Sequence, residues 1–456
     1  MEYCAERNIA VIPEIDIPGH SEAFRSAMGV TMGDPLAVEA LTNLVNELCD
    51  LLPADLVPRL HFGTDEVRGS AETPHSDLIP AMVNTARGRG REVMTWWKGI
   101  PPVDIDAINQ LWAQHAPLAQ NRDVESRANY VNHLDAFDGP IRTYFQQVGR
   151  VPRETSQALG GILCYWPDVN IDDPHLGLGI APVFPAMLGY AERIWRGADT
   201  DYGAHWAKLP PDGHPLLEEF AAFEEDMLVH REKYFAGVLP FPYVRQSHVP
   251  WKLVGPFDHG GNLEKSFGPE TLIAPSYEED GQVFAWKDAV GGTIHLNHFF
   301  GFQSYYPTTG DGTVYALTHV ISETERNVGF WFQFGTPSVS GRRNGGNTPL
   351  GEWNAYGASV WVNGTAVPPP EWNNPGPLAG GREIPFSNEG YFYREPSNVH
   401  LNAGTNSILL RIPKGRASGY GAGKWMFSCM PVDWDGTQAR ELDGLAFTTV
   451  WSQTGE

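Results

Sequence analysis

The chain has 456 residues, 42% hydrophobic and 19% charged, with a formal net charge of -23. That length suffices for two sizeable cores, since domains usually hold about 50 to 250 residues. So large an acidic excess argues against nucleic acid, whose binding needs Lys and Arg to neutralise phosphates, and against anionic membrane surfaces. No apolar stretch approaches the roughly 18 residues that a membrane span requires. The composition suits a soluble protein acting on neutral or basic ligands.

Taken in chain order, Tyr3 to Asn8 reads as a helix. The apolar run Ile9 to Ile12 then leads into Glu14, Asp16, a Pro18-Gly19 turn and His20, as a buried strand does when it releases polar groups at its C-terminal end. Val38 to Leu52 is helical, and Arg59 to Phe62 forms a second short strand bounded by Gly63. Asp65 and Glu66 follow it directly. Two adjacent carboxylates at the end of a burial-prone strand either cap the next helix or point into a pocket, because burying charge without partners is costly. Leu78 to Arg87 is helical again. Glu92 to Trp97 and Ala107 to Trp112 are strands that each deliver a tryptophan at the end. Asn129 to Asn132 is a further strand, in which period-two alternation places Tyr130 and Asn132 on one face. Gly161 to Asp168 completes the series with Trp166 and, two places on, Asp168. Phe184 to Trp195 and Leu216 to Phe235 are amphipathic helices, the second expected on the outside of the preceding α/β layer.

From Pro250 onward helix periodicity disappears. Short apolar runs, Gly292 to His298, Val314 to Val320, Gly329 to Phe334, Ala358 to Val362 and Ser407 to Ile412, alternate with turn signals, the pattern of an all-β sandwich or jelly roll. Pro337 to Gly351 and Pro368 to Gly381 read as long surface loops. Trp353, Tyr356, Trp361 and Trp372 read as core or domain-interface aromatics before they read as a glycan-binding surface. The expected domains are therefore 1–215, a parallel α/β layer, 216–245, a connecting helix and linker, and 246–456, a β domain. Cys4, Cys49, Cys164 and Cys429 are too scattered for a metal motif and read as buried thiols.

The segments Glu14 to His20 and His61 to Glu66, with the aromatic strand ends after them, resemble glycoside hydrolase family 20, the β-N-acetylhexosaminidases. The resemblance covers about residues 1 to 200 and implies a TIM-type (β/α)8 barrel. Only strands three to eight are visible, so the barrel is expected to be truncated at its N-terminus. The family's first-strand arginine and second-strand aspartate have no counterpart here.

The resemblance also implies the chemistry. Glu66 matches the general acid and base, and Asp65 the carboxylate that orients the 2-acetamido group and stabilises its developing charge. Tyr130 matches the tyrosine that hydrogen-bonds the acetamide oxygen. Trp97, Trp112 and Trp166 match the aromatic walls around the sugar, Asn132 and Asp168 the partners of its outer hydroxyls, and Asp16 and His20 residues that arrange hydrogen bonds around the acid. No metal or organic cofactor is implied. The implied activity is exo-acting, retaining hydrolysis of terminal GlcNAc or GalNAc; the alternative is a weakly active or non-catalytic binder of N-acetyl sugars. The implied partners are N-acetylhexosamine-terminated glycans or chitooligosaccharides and, because open barrel edges invite pairing, a second copy in a homodimer. Nothing at the amino terminus resembles a signal peptide, and the compartment stays open, a bacterial periplasmic or secreted location being compatible with the reading.

Overall fold

The structure, a computed structural model, describes residues 1–99, 106–112, 116–117, 121–127, 129–131, 137, 139–166, 183–239, 241–298, 300–306, 311–334, 351–354, 356–369, 396–415, 425–435 and 438–450. It divides into two compact units. The first holds Met1–Asn129, Gln147–Leu163 and Gly197–Thr200, and the second holds the rest.

The first unit is built on a six-stranded parallel sheet in sequential order: β1 Glu14–Asp16, β2 Arg59–Gly63, β3 Glu92–Trp97, β4 Ile108–Leu111, β5 Arg122–Glu125 and β6 Ala158–Gly161. Helix α1 Glu2–Ala5 precedes β1, α2 Glu22–Met28 and α3 Pro35–Leu51 lie between β1 and β2, and α4 Leu78–Gly88 between β2 and β3. The start of α3 is set by Asp34, whose side chain accepts from the Leu36 N–H at 2.9 Å, and by Pro35, whose missing N–H costs nothing in a first turn. Ala37, Leu41, Val45 and Cys49, spaced four apart, form its buried face. Leu41, Val45 and Cys49 pack with Leu78, Met82, Val83 and Ala86 of α4 against Ile17, Leu60, Phe62, Val93 and Ala107. Phe62 is fully buried there; truncating such a phenylalanine to alanine costs about 3 to 5 kcal/mol.

Alternation along the strands sends Glu14, Asp16, His61 and Trp96 to the face opposite that core. The same face carries, nearer the strand starts, Glu92 held between two arginines, with Arg59 Nε and Arg122 Nη1 each 2.5 Å from its carboxylate.

Two strands lie earlier in the chain than the sequence pattern suggests. The fifth is Arg122–Glu125, not Asn129–Asn132, and the sixth ends at Gly161, where the expected eighth barrel strand would begin. Charge hides β5 from a hydrophobic reading. The pairs Arg122–Glu92 and Arg127–Glu125 neutralise that charge inside the fold, the second among residues no more than 5% exposed.

In the second unit, one antiparallel sheet runs Lys287–Val290, Pro250–Phe257, Gly312–Ser322, Gly404–Lys414, Ser359–Val362, Thr365–Ala366, with Leu445–Thr448 also beside Gly312–Ser322. A second runs Thr293–Asn297, Trp425–Pro431, Arg326–Gln333, Ser397–Leu401. Both contribute to one core around Trp251, Leu253, Val314, Phe330, Leu410 and Phe427. Trp353 belongs to that core, against Phe332 and Phe334. The expected loops 337–351 and 368–381 lie largely, and Trp372 wholly, outside the described residues.

Three helices complete this unit: α5 Gly139–Tyr144, α6 Val183–Arg196 and α7 Pro215–His230. The apolar face of α7, Phe220, Phe223, Met227 and Leu228, joins a core with Tyr144, Phe145, Tyr243, Trp331 and Met430. Within the second unit, Trp331 and Met430 of the antiparallel sheet are among its apolar partners. Among the described residues no helix is long and apolar enough to cross a membrane, and Cys49, Cys164 and Cys429 are buried.

Candidate active site

The register of β1 on β2 pairs Glu14 with His61 and Asp16 with Gly63. Both acids lean across Gly63: a Cβ there would collide with Asp16 Oδ1 and come within 2.9 Å of Glu14 Oε1. Gly19 serves the turn after β1 in the same way, since a Cβ on it would run into the Asp65 carbonyl. Only glycine lets these two chain segments approach so closely.

Past β2, Glu66 adopts φ 46° and past β1, His20 adopts φ 52°, a left-handed conformation uncommon for residues with a Cβ. The two meet: His20 Nε2 lies 3.5 Å from Glu66 Oε2, while Arg68 Nη2 stands 2.8 Å from the other Glu66 oxygen. Backbone strain concentrated in two facing polar residues marks a functional candidate.

The carboxylates around this pair titrate unusually. Asp16 is pushed up to about 6, first by burial and then by the charges of Glu14 and Asp65, with His20 opposing. Asp65 is also raised, by burial first and by Glu14 and Glu66, against the lowering effect of its own backbone N–H and His20. Glu14 moves the other way. Burial pushes it up, but the hydrogen bond and charge of His61 and the hydrogen bonds of Trp96 and Asp16 outweigh this and hold it below the usual range. Crowded like charges with divergent proton affinities are the electrostatic signature of acid and base chemistry.

Aromatic rings flank the cluster. Trp96 Nε1 donates to Glu14 Oε1 at 2.6 Å. The His61 and Trp96 rings meet edge to face at 5.3 Å, and Trp96 and Trp112 at 6.4 Å.

Of the residues singled out from the sequence, the structure brings together Asp16, His20, Asp65 and Glu66, and places Trp112 against Trp96. Trp97 stands elsewhere. It shares the face of Val93 and donates its indole N–H to Ala116 O at 2.9 Å, so the tryptophan that reaches the acids is its neighbour Trp96. Tyr130 and Trp166 fall in the second unit, where Tyr130 forms a parallel bridge with Cys164 and Trp166 is 44% exposed. Asn132 and Asp168 lie outside the described residues. The sequence reading missed Glu14, His61 and Trp96. Period-two spacing from Asp16 and Gly63 pointed to the first two, and the Val93 parity pointed to the third. No group of three or more His, Cys, Asp or Glu side chains suited to a metal occurs among the described residues.

An acid-rich, aromatic-flanked site at the C-terminal ends of parallel strands is where enzymes of the α/β class work. The family model "Glycosyl hydrolase family 20, catalytic domain" matches residues 1–98, which contain every acid of this cluster. A β-N-acetylhexosaminidase of Cellulomonas fimi is 23% identical over 232 residues, a match covering 45% of this chain and 44% of the relative. The chain thus spans less than half the length of that curated relative. Among solved structures, a mutant Streptomyces plicatus β-hexosaminidase in complex with GlcNAc is 18% identical, over 53% of this chain and 55% of that one, with a TM-score of 0.36. A glycoside hydrolase family 20 β-N-acetylglucosaminidase is likewise 18% identical, over 35% and 40%, with a TM-score of 0.22.

Proposed function

We propose that this protein is an exo-acting, retaining β-N-acetylhexosaminidase that removes terminal GlcNAc or GalNAc by substrate-assisted catalysis. The observation that carries the proposal is the Asp65–Glu66 pair at the end of β2, with Glu66 facing His20 and Asp65 crowded by Glu14 and Glu66. Family 20 enzymes are exceptions among retaining glycosidases in lacking a carboxylate nucleophile. The substrate's own acetamide oxygen attacks C1 as the C1–O bond to the leaving group breaks, giving an oxazolinium ion. Glu66 donates its proton to the departing oxygen, then takes one from the water that opens the ring. Asp65, ionised, orients the acetamide N–H and stabilises the positive charge that grows there, a task whose worth rises where water is excluded. Trp112, backed by Trp96, walls the acetyl group. Tyr130, Asn132, Trp166 and Asp168 enter the proposal through family resemblance.

The parallel sheet supports, as part of the same proposal, a (β/α) barrel represented by six strands. The β1 edge, flanked by exposed Ile9 and Ile12, supports a homodimer that covers it; light scattering showing a stable monomer would exclude that assembly. The deciding assay for the activity compares an aryl N-acetyl-β-glucosaminide with its 2-hydroxy counterpart. Hydrolysis of the first and near-inertness of the second is expected; equal rates would remove substrate assistance, and no turnover of either would leave a sugar-binding protein.

A further inference from the structure

Glu14 has no part in the proposed reaction, yet it is the most connected acid of the cluster. It lies two residues before Asp16 on the same face of β1 and opposite His61 in register. Its Oε1 receives the Trp96 indole N–H at 2.6 Å and stands 3.2 Å from His61 Nδ1. Trp96 is 4% exposed and the Glu14 side chain 26%, so the indole end of this charge-assisted hydrogen bond is sheltered from water. Glu14 stays ionised while its neighbour Asp16 is pushed up to about 6, so the acceptor persists where the other acid begins to protonate.

An indole has one N–H, and fixing its direction fixes the ring plane. Trp96 in turn meets Trp112 edge to face at 6.4 Å. Trp96 is too buried to stack on a sugar; half-buried Trp112 is not.

We propose that Glu14 is a positioning residue that locks the Trp96 indole and, through the Trp96–Trp112 contact, sets the aromatic wall against which the N-acetyl sugar packs. The second half of this inference rests on the hydrolase reading above; the first half concerns the free protein alone.

The test uses the full chain with nitrogen-15-labelled tryptophan, the Trp96 indole signal being the one lost in Trp96→Phe. In the parent protein that N–H resonates downfield and exchanges slowly. Glu14→Ala moves it upfield and speeds its exchange, while Glu14→Gln, which keeps a carbonyl acceptor of similar size, restores most of its position. In parallel, Glu14→Ala raises KM for an aryl N-acetylglucosaminide by about tenfold, the loss expected for one charge-assisted hydrogen bond. It leaves kcat within about threefold, as expected for a residue that shapes the pocket and takes no part in proton transfer, and Glu14→Gln recovers most of KM. A Trp96 signal indifferent to Glu14→Ala overturns the positioning role, whether or not the protein hydrolyses sugars. A signal that moves while KM does not overturns the link to the sugar wall. A Glu14-dependent signal in a parent protein that hydrolyses nothing supports the lock on Trp96, while overturning the hydrolase reading and the wall assigned through it.

Discussion

The ends of β1 and β2 and the middle of α7 both hold carboxylates, but in opposite settings: Glu14, Asp16 and Glu66 are exposed residues and Asp65 is half-buried. Glu224 of α7 is fully buried, and its two oxygens accept from Tyr243 Oη and Ser247 Oγ at 2.6 Å each and from the backbone N–H groups of Gln246 and Ser247 at 2.8 and 3.1 Å. Burial raises its proton affinity and all four donors oppose this. Asp16 and Asp65 crowd one another and Glu14, so like charges add to burial in raising both. The acid that holds the fold is saturated with hydrogen bonds from its own unit, tying α7 to residues 243–247. The acids at the ends of β1 and β2 have proton affinities set largely by one another's charge and so open to adjustment.

Substitutions on each side should separate these two kinds of acid. The largest effect is expected from Glu66→Gln, which should lower turnover of substrates with poor leaving groups by about 10²- to 10⁴-fold, the usual worth of a general acid. An aryl substrate with an acidic phenol should lose less, so the ratio of the two rates is the measurement. Asp65→Asn should lower turnover by about 10²- to 10³-fold, as removal of a preorganised electrostatic partner does. It should also weaken binding of a thiazoline that mimics the oxazolinium; retention of thiazoline affinity would take Asp65 out of that role.

On the other side of the comparison, Glu224→Ala should cost about 2 to 4 kcal/mol of stability, because it strands buried Tyr243 and backbone donors. Denaturant unfolding reads that loss, and turnover per folded molecule should be unchanged. If turnover fell in step with the Asp65 variant, the division between structural and working acids would fail.

The smallest effect concerns pH. Asp16 binds its proton more tightly folded, at about 6, than at the ordinary 3.8, so the folded state is burdened by the charge wherever the unfolded chain carries it freely. That burden is complete above about pH 6 and absent below about pH 4, where both states are protonated. Asp16→Asn should therefore raise the melting temperature modestly at about pH 8 and not at all near pH 3. An equal gain at both would mean that the side chain's packing, not its charge, is responsible.

Much of this molecule follows from local pattern. The helices α3, α4, α6 and α7 stand within a few residues of where apolar spacing places them. The same holds for β2, β3 and the long antiparallel strands around Val314 and Ile408, because each of these elements buries one apolar face and that face is written in its own periodicity. The adjacency of Asp65 and Glu66 is likewise a property of the chain alone.

Tertiary structure decided what depends on a distant partner. A strand as charged as Arg122–Glu125 is stable only because Glu92 and Arg127 neutralise it. Trp96, and not Trp97, joins the acids because Val93 and Ala107 settle which face of the sheet is core. The apolar stripe of α7 is legible in its own spacing, but that Trp331 and Met430 are among the residues it meets is not. Periodicity specifies a face. It cannot specify the opposing residue, because the free energy of a buried charge or ring belongs to the pair that forms the contact and to neither sequence segment by itself.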